Sequence, residues 1–215
     1  MSYEIELKAH VTDPDAVVSR LIGAGFRTVG PVAKDDRYYR SGNGTEFRLR
    51  LSGDDEAGGS DVPGKQGGDG GDDASGRRGS DAAADNPASG IVTHKEKHIR
   101  DGVEYNVERE FTVDSAEAFE TLCERIGAER FAVKQKHGRR LSRDGLTAEV
   151  VNVASLGWFL EIEAVIDESS DNAGRQRAAA SVREGLADAG VSTTAIESRT
   201  YLTMLGFRDK QPEPT

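Results

Sequence analysis

The sequence has a single cysteine, Cys123, and aromatic residues make up only 6% of it. One cysteine excludes an internal disulfide and a cysteine metal cluster, and its position in a helical pattern indicates a small core residue. No apolar run is long enough to cross a bilayer, and the N-terminus opens into a charged strand with no signal peptide. We therefore expect a cytoplasmic protein with no membrane partner.

Basic residues are outnumbered, since 38 acidic residues against 28 basic ones give a formal net charge of -10. Residues 52–90 are dominated by Gly, Asp, Ala and Ser and hold nine acidic residues against three basic ones. We expect this segment to be a disordered insertion in a single domain of residues 1–215, because it cannot bury enough apolar surface to offset its ordering entropy. The acidity argues against a nucleic-acid partner and suits a halophilic, high-salt cytoplasm.

The chain does contain a short repeat in which charged and apolar residues alternate. Residues 3–9, 105–111 and 159–164 are three imperfect copies, and each is followed by a helical pattern that ends near a glycine. Read with the two-residue period of a strand, each copy has an apolar face, which the next helix would cover, and a face rich in glutamate. The repeat predicts three amphipathic strands, each followed by a helix.

Further alternating segments raise the predicted number of strands to about eight, mostly antiparallel and joined by short turns. They lie around residues 32–40, 47–51, 91–97, 132–137 and 146–153. Two helical patterns, around residues 175–189 and 195–205, follow the last strand, and Tyr201 is interpreted as a packing residue on the second of them. Eight strands can close into a barrel whose interior is filled by side chains or holds a small ligand.

The charged strand faces have two interpretations. They could face water, as in any amphipathic sheet, or line the interior of a sheet that closes on itself. A lining of this kind would place carboxylates ~7 Å apart along a strand, where they repel by roughly 2 kcal/mol. The interleaved lysines and arginines, together with a hard divalent metal, could compensate this repulsion. A triphosphate that brings its own metal would fit such a lining.

Glu4, Glu6 and Lys8 form an ExExK pattern. This pattern resembles the N-terminal signature of the CYTH superfamily, the triphosphate tunnel enzymes that include class IV adenylyl cyclases and thiamine triphosphatases. Further matches follow in order outside residues 52–90: Asp36 and Tyr38, Arg48 and Arg50, Thr93 to Lys95, Glu108 and Glu110, Lys134 and Lys136, Leu156 to Glu163, and Ser198 to Leu202.

The resemblance implies an α+β fold, a closed antiparallel β-barrel with helices packed outside, which binds a triphosphate with Mg²⁺ or Mn²⁺. It is closest to the class IV cyclase-like branch, and a homodimer is compatible with it. The candidate catalytic residues are Glu4, Glu6 and Lys8. The candidate substrate-binding residues are Lys8, Arg48, Arg50, Lys95, Lys134, Lys136 and Arg139. The candidate metal ligands are Glu4, Glu6, Glu108, Glu110, Glu161 and Glu163.

Three positions depart from the family pattern. Val151 stands where an aspartate is usual, which leaves Glu149 or Asn152 as substitutes and bears on the number of metals. Asn106 and Lys136 stand where arginine is common. 

Three functions follow from the resemblance. The first is an adenylyl cyclase that converts ATP to cyclic AMP and pyrophosphate. The second, ranked close behind, is a triphosphatase that hydrolyses thiamine triphosphate, tripolyphosphate or a nucleotide. The third is a non-catalytic module that binds nucleotides or polyphosphate.

Overall fold

Eight strands form the framework of the fold. The computed structural model describes residues 2–51, 88–100, 103–167 and 169–207. The strands are β1 (Ser2–His10), β2 (Arg27–Arg40), β3 (Glu46–Leu51), β4 (Gly90–Arg100), β5 (Val103–Val113), β6 (Glu129–Arg143), β7 (Leu146–Val153) and β8 (Gly157–Asp167). The predicted insertion at residues 52–90 lies outside the described residues over positions 52–87, and Gly90 is the first residue of β4.

The strands close into one barrel in the order β1-β5-β4-β3-β2-β6-β7-β8, with every neighbouring pair antiparallel. Closure comes from β8, which pairs with β1 from Ser2 opposite Asp167 to His10 opposite Phe159. This confirms the predicted closed antiparallel barrel of about eight strands.

Three helices follow the three copies of the repeat: α1 (Pro14–Gly23), α2 (Ala116–Arg125) and α3 (Asn172–Asp188). Each begins at a side chain that accepts a hydrogen bond from an otherwise unpaired backbone N–H of the first turn, and these caps are Asp13, Ser115 and Asp171. In the described part of the chain, none of the helices has the length and apolar character that a membrane span requires.

The helix predicted over residues 195–205 is largely absent. A 3-10 helix covers Thr193–Ala195, and only Tyr201–Met204 forms an α-helix, α4. Between them the chain is extended, because Ile196 forms a bridge with Ala9 and the N–H of Glu197 donates to the carbonyl of Lys8 at 2.8 Å. Pairing with the end of β1 therefore replaces the intrahelical hydrogen bonds.

The main apolar core lies between the outer face of the barrel and the helices. Ile5 and Leu7 of β1 and Leu160 and Ile162 of β8 are fully buried there, together with residues of α1 and α3 such as Leu186. Burial of each such side chain contributes roughly 1.5 to 3 kcal/mol. Because side chains alternate along a strand, the charged residues between these apolar ones point to the inside of the barrel.

Candidate active site

The three copies of the repeat are neighbours in the barrel. β1 lies between β5 and β8, and Glu6 stands opposite Glu104 on one side and Glu163 on the other. We call the inward carboxylates of these three strands the acidic wall: Glu4, Glu6, Glu104, Glu108, Glu161 and Glu163. The inward cations of β2, β3, β4 and β6 form the basic wall: Lys34, Arg48, Arg50, Lys95, Lys97, Lys134, Lys136 and Arg140.

The exposure of these side chains decides between a solvated sheet face and an enclosed lining. Asp36 has no exposed surface, and Lys8, Glu104 and Glu149 are each 3% exposed. Charged residues are almost never buried to this extent unless they are paired. The ionic faces of the strands therefore look at one another across the interior of the barrel.

Lys95 neutralises part of the acidic wall. Its ammonium lies 2.8 Å from Glu4 Oε1, 2.9 Å from Glu108 Oε1 and 3.6 Å from Glu6 Oε2. Burial alone would lower the pKa of Lys95, but the three carboxylates hold it well above its usual value. Lys95 is therefore protonated at neutral pH.

Glu104 forms ion pairs with two further cations of the interior. Lys8 Nζ lies 2.8 Å from its Oε1, and Lys97 Nζ lies 2.7 Å from its Oε2. Burial acts to raise the pKa of Glu104, yet the two ammonium groups lower it to about 2. Glu104 is therefore an anion that holds Lys8 and Lys97 in place.

Asp36 organises one cluster of cations in the basic wall. It accepts hydrogen bonds from Arg50 Nε at 2.7 Å and Arg50 Nη2 at 3.1 Å, and Lys134 Nζ lies 3.1 Å away. Arg48 Nε is 4.0 Å from the same carboxylate. Burial would raise the pKa of Asp36, but these cations hold it well below its usual range. Two guanidinium groups and an ammonium are thus aligned by one buried anion.

Glu149 organises a second cluster. Lys34 Nζ donates to both of its oxygens at 2.7 and 2.9 Å, and Lys136 Nζ and Arg140 Nη2 each lie 3.0 Å away. Because three cations share this carboxylate, its attraction for Lys34 does not offset the effects of burial and of the neighbouring cations on the pKa of Lys34. Burial, Lys136 and Arg50 together lower the pKa of Lys34 to about 8.

The acidic wall keeps an excess of negative charge near β1 and β8. Burial, together with Glu4, Glu6 and Glu149, raises the pKa of Glu163 to about 8. Burial and Glu104 also raise the pKa of Glu6, although Lys95 opposes this. Carboxylates in this state are stabilised when a cation joins them.

The residues present fit a hard divalent cation in charge and in donor type. Among the described residues, no three His, Cys, Asp or Glu side chains already converge as a complete metal-binding group. Mg²⁺ does not require one, because it is typically held by one or two carboxylates plus substrate phosphates. Glu4, Glu6 and Glu163 are the inward carboxylates best placed for this, since burial and then the charges of Glu4 and Glu6 raise the pKa of Glu163.

Comparisons with known proteins bear on the fold. No family model and no curated protein matches the sequence. Among solved structures, the PH1819 protein of Pyrococcus horikoshii has a TM-score of 0.68 at 18% identity, covering 94% of this chain and 97% of that one. A proposed adenylate cyclase from Vibrio parahaemolyticus has a TM-score of 0.65 at 14% identity, covering 95% and 98%. A proposed adenylyl cyclase from Hippeastrum with a dominant triphosphatase activity has a TM-score of 0.55 at 12% identity, covering 98% of both chains.

The chain shares the fold of these solved structures, a closed eight-stranded antiparallel barrel of the triphosphate tunnel type. Most of the residues predicted for the site of a tunnel enzyme are brought together in its interior. They are Glu4, Glu6, Lys8, Arg48, Arg50, Lys95, Glu108, Lys134, Lys136, Glu161 and Glu163.

Arg139 is not among the residues that line the tunnel. Its side chain is 60% exposed and lies 3.9 Å from Asp15 of α1, on the outside of the barrel. Since Lys134 and Lys136 point inward, the two-residue period carries the inward face to positions 138 and 140. The placement of Arg139 in the site was therefore wrong, and Arg140 takes the inward position.

Glu110 lies at the edge of the tunnel, where its side chain is 46% exposed. It accepts a hydrogen bond from Thr93 Oγ1 at 2.6 Å, and Arg48 Nη2 is 3.5 Å away. These contacts position Arg48 from the rim. Glu110 as a metal ligand stays a prediction.

Several inward residues of the tunnel were missing from the predicted site: Lys34, Asp36, Lys97, Glu104, Glu149 and Arg140. The strand period contains the signal for most of them, because each stands two residues from a predicted or motif residue on the same strand. Glu104 and Glu149 stand two residues from Asn106 and Val151, where this sequence departs from the family pattern, and Arg140 stands four residues from Lys136. The burial of Glu104 and Glu149 shows their part in the lining.

Val151, at the position where the family usually has an aspartate, is fully buried in an apolar cluster with Val32, Phe159 and Tyr201. Position 151 therefore adds no carboxylate to the tunnel. Glu149 stands on the same strand face two residues earlier, whereas Asn152 stands on the opposite face. Of the two substitutes considered from the sequence, Glu149 is the one in the lining.

Asn106 is an interior group with unused hydrogen-bonding capacity. Asn106 has no exposed surface, and neither its Nδ2 nor its Oδ1 has a hydrogen-bond partner. It stands opposite Glu4 on one neighbouring strand and Lys97 on the other. Leaving such a group unpaired costs about 1 to 3 kcal/mol, so a ligand or water that pairs with it gains that amount. The ring of Tyr201 also faces the interior, with the ammonium groups of Lys134 and Lys8 at 5.1 and 5.4 Å from its centre.

Proposed function

We propose that this protein is a metal-dependent enzyme that acts on a small-molecule triphosphate. The observation that carries the proposal is the enclosed lining, in which a basic wall and an acidic wall face each other across a closed barrel. Lysine and arginine bind phosphate oxygens, and carboxylates bind the divalent cation that accompanies a polyphosphate. An interior built for apolar ligands would not carry these charges.

The two clusters of the basic wall would bind the phosphates. Arg50 and Lys134 are held by Asp36, and Lys34, Lys136 and Arg140 are held by Glu149. Each cluster has more cations than carboxylates, even though Lys136 of the second cluster also contacts Glu161. The surplus positive charge is available to phosphate oxygens, and arginine can bind them in a bidentate geometry.

The acidic wall would hold the metal, with Glu4, Glu6 and Glu163 as ligands. A bound Mg²⁺ or Mn²⁺ supplies charge neutralisation for the phosphates and activates the attacking oxygen. Lys8, buried beside Glu104, adds a fixed positive charge next to these carboxylates. The residues of this chain thus hold the reacting groups in place and exclude bulk water from them.

The first candidate reaction is the cyclisation of ATP. The 3′-oxygen of the ribose attacks the α-phosphorus, the bond from that phosphorus to the bridging oxygen breaks, pyrophosphate leaves and the hydroxyl proton is released to solvent. The similarity to the Vibrio parahaemolyticus protein supports this candidate at the level of the fold.

The second candidate reaction is hydrolysis of the triphosphate. A water oxygen attacks the terminal phosphorus, the bond to the bridging oxygen breaks, the remaining diphosphate leaves with that oxygen, and orthophosphate and a proton are released. The similarity to the Hippeastrum protein, whose dominant activity is that of a triphosphatase, favours this candidate. The same lining would serve both reactions.

Incubation of the purified protein with ATP, or with tripolyphosphate, and Mg²⁺ or Mn²⁺ in high salt tests the proposal. Cyclic AMP with pyrophosphate supports the cyclase, and orthophosphate supports the triphosphatase. If neither set of products forms from any of these substrates, catalysis is refuted and the protein is a binding module. Glu6→Gln should abolish metal-dependent turnover, whereas Glu117→Gln on the exposed side of α2 should not.

The Glu6→Gln protein should also fold normally and gain slightly in stability. The raised pKa of Glu6 shows that its anion is disfavoured in the interior, and a neutral amide removes that penalty. Thermal unfolding followed by circular dichroism checks this. Normal turnover by the variant would show that the assignment of the metal ligands is wrong.

A further inference from the structure

Lys95 belongs to the basic wall but contacts the carboxylates of the acidic wall. Its ammonium touches Glu4 and Glu108 and lies 3.6 Å from Glu6. Two of these carboxylates come from β1 and one from β5, whereas Lys95 comes from β4. A lysine of the basic wall thus occupies the place among the carboxylates where a metal would neutralise them.

No other cation of the described residues can take over this role without moving. Lys95 is the sole ion-pair partner of Glu4, Glu6 and Glu108 in the part of the chain that the structure describes. The neighbouring cations Lys8 and Lys97 are both engaged by Glu104, as described above. Lys95 is therefore the cation that contacts these three carboxylates, while Lys8 and Arg48 act on Glu6 and Glu108 from farther away.

We propose that Lys95 is an exchangeable internal counter-ion that couples the binding of the divalent cation to the binding of the triphosphate. This inference rests on the proposed function and deepens it. A divalent cation held by Glu4 and Glu6 would repel the ammonium of Lys95, which already lies against the same two carboxylates, so the two compete for them. Lys95 can leave only when another anion accepts its ammonium, and the phosphate oxygens of the substrate are such an anion.

The side chain of Lys95 suits an exchange of this kind. An ammonium on a flexible four-carbon stem can turn from one set of acceptors to another without a change in the backbone, whereas the fork of an arginine requires a matched partner. Asn106, whose amide is buried and unpaired opposite Glu4, lies next to the position that Lys95 would vacate. In the free protein Lys95 is thus paired with these carboxylates, and the amide of Asn106 offers a hydrogen-bonding contact once Lys95 has moved.

The coupling has a thermodynamic consequence. If triphosphate removes Lys95 from the carboxylates, it raises the affinity of the protein for the cation, and the cation must raise the affinity for triphosphate by the same factor. A cation that merely bridges protein and phosphate would also produce cooperativity. The two explanations differ in what Lys95 does when no phosphate is present.

Calorimetric titration with Mn²⁺ alone, without phosphate, separates them. Lys95→Met should bind Mn²⁺ about tenfold more tightly than the unaltered protein, because the competing ammonium is gone. Arg109→Met is the control, since it also removes one cation, but from the outer face of β5, where Arg109 is 45% exposed and lies 2.6 Å from Glu96. It should change the affinity for Mn²⁺ by less than about threefold. Equal affinities in Lys95→Met and the unaltered protein, or equal gains in both variants, overturn the proposal.

The same titrations repeated with saturating tripolyphosphate measure the coupling itself. The gain in Mn²⁺ affinity that tripolyphosphate causes should be smaller in Lys95→Met than in the unaltered protein, and an equal gain overturns the proposal. The experiment with Mn²⁺ alone needs no turnover. Absence of any product from ATP or tripolyphosphate would therefore refute the proposed function without deciding the role of Lys95, which the titration decides.

Removal of Lys95 leaves three carboxylates uncompensated, so folding of the variant is checked by circular dichroism. If Lys95→Met does not fold, Lys95→Arg provides the test. A guanidinium binds carboxylates more firmly than an ammonium does and should weaken the binding of Mn²⁺ alone by about threefold or more. An unchanged affinity in Lys95→Arg overturns the proposal.

Discussion

Asp36 offers the sharpest test of how the interior is stabilised. It is fully buried and faces two ammonium or guanidinium groups at 2.7 and 3.1 Å, those of Arg50 and Lys134. Asp36→Asn keeps the shape of the side chain and removes its charge. Because the cations then remain buried without their partner, we expect a loss of about 3 to 5 kcal/mol in the free energy of unfolding. For a chain of this size the loss corresponds to a fall of roughly 6 to 20 °C in the unfolding midpoint.

The difference in stability between the unaltered protein and Asp36→Asn should depend on pH. The pKa of Asp36 is held well below its usual range in the folded protein, so its ion pairs contribute their full stability above the unfolded pKa of about 3.9. That stability is lost as the pH falls through the folded pKa. The difference between the unaltered protein and Asp36→Asn should therefore be largest at neutral pH and shrink below about pH 4.

Urea unfolding followed by circular dichroism measures the difference. Asp35→Asn is the control, because Asp35 is the next residue on the outer face and its side chain is 34% exposed. It should cost less than about 1 kcal/mol. Tripolyphosphate should stabilise Asp36→Asn more than the unaltered protein, since phosphate oxygens can replace the missing anion. If Asp36→Asn unfolds at the same urea concentration as the unaltered protein at pH 7, the cations of this cluster are not held as described.

Three further predictions concern single residues of the barrel. The affinity for tripolyphosphate should fall as the pH rises through about 8, where Lys34 loses its proton, and Lys34→Arg should retain affinity to higher pH in the same titration. Arg140→Ala should weaken the binding of tripolyphosphate by several fold in calorimetry, and Arg139→Ala should leave it unchanged; the reverse result would contradict the assignment of strand faces. Gly138→Ala should destabilise the protein by about 1 to 3 kcal/mol in urea unfolding, because a Cβ there would lie 2.0 Å from the carbonyl oxygen of Val150. An unchanged midpoint would show that β6 and β7 can separate at this point.

The alternation of apolar and charged residues was sufficient to predict the strands and their two faces. The alternation of Ile5 and Leu7 with Glu4, Glu6 and Lys8 assigns one face of β1 to the helices and the other to the interior. It could not by itself decide that the interior is enclosed. Closure depends on the pairing of β1 with β8, and pairing between distant segments leaves no local signal in the sequence.

The interior contacts were less predictable than the interior faces. That Lys95 would contact Glu4, Glu6 and Glu108 depends on the stagger between strands, which periodicity does not give. The prediction of Arg139 failed because it was assigned to the site as part of a run of basic residues. In the two-residue period of β6, Gly138 and Arg140 share the inward face with Lys134 and Lys136, and Arg139 does not. The last helix was overestimated because the pairing of Ile196 with Ala9 is a tertiary contact.

The position of β1 between β5 and β8 has a consequence for how the chain folds. β1 is made first, yet one of its edges can only be covered once residues up to Asp167 have left the ribosome. Until then that edge exposes unpaired backbone groups that can pair with another chain. Contacts between such distant segments also slow folding, because the intervening loop must be ordered before they form. Barrel closure should therefore be a late step in the folding of this protein. Nascent chains that end before β8 should be the species that chaperones protect.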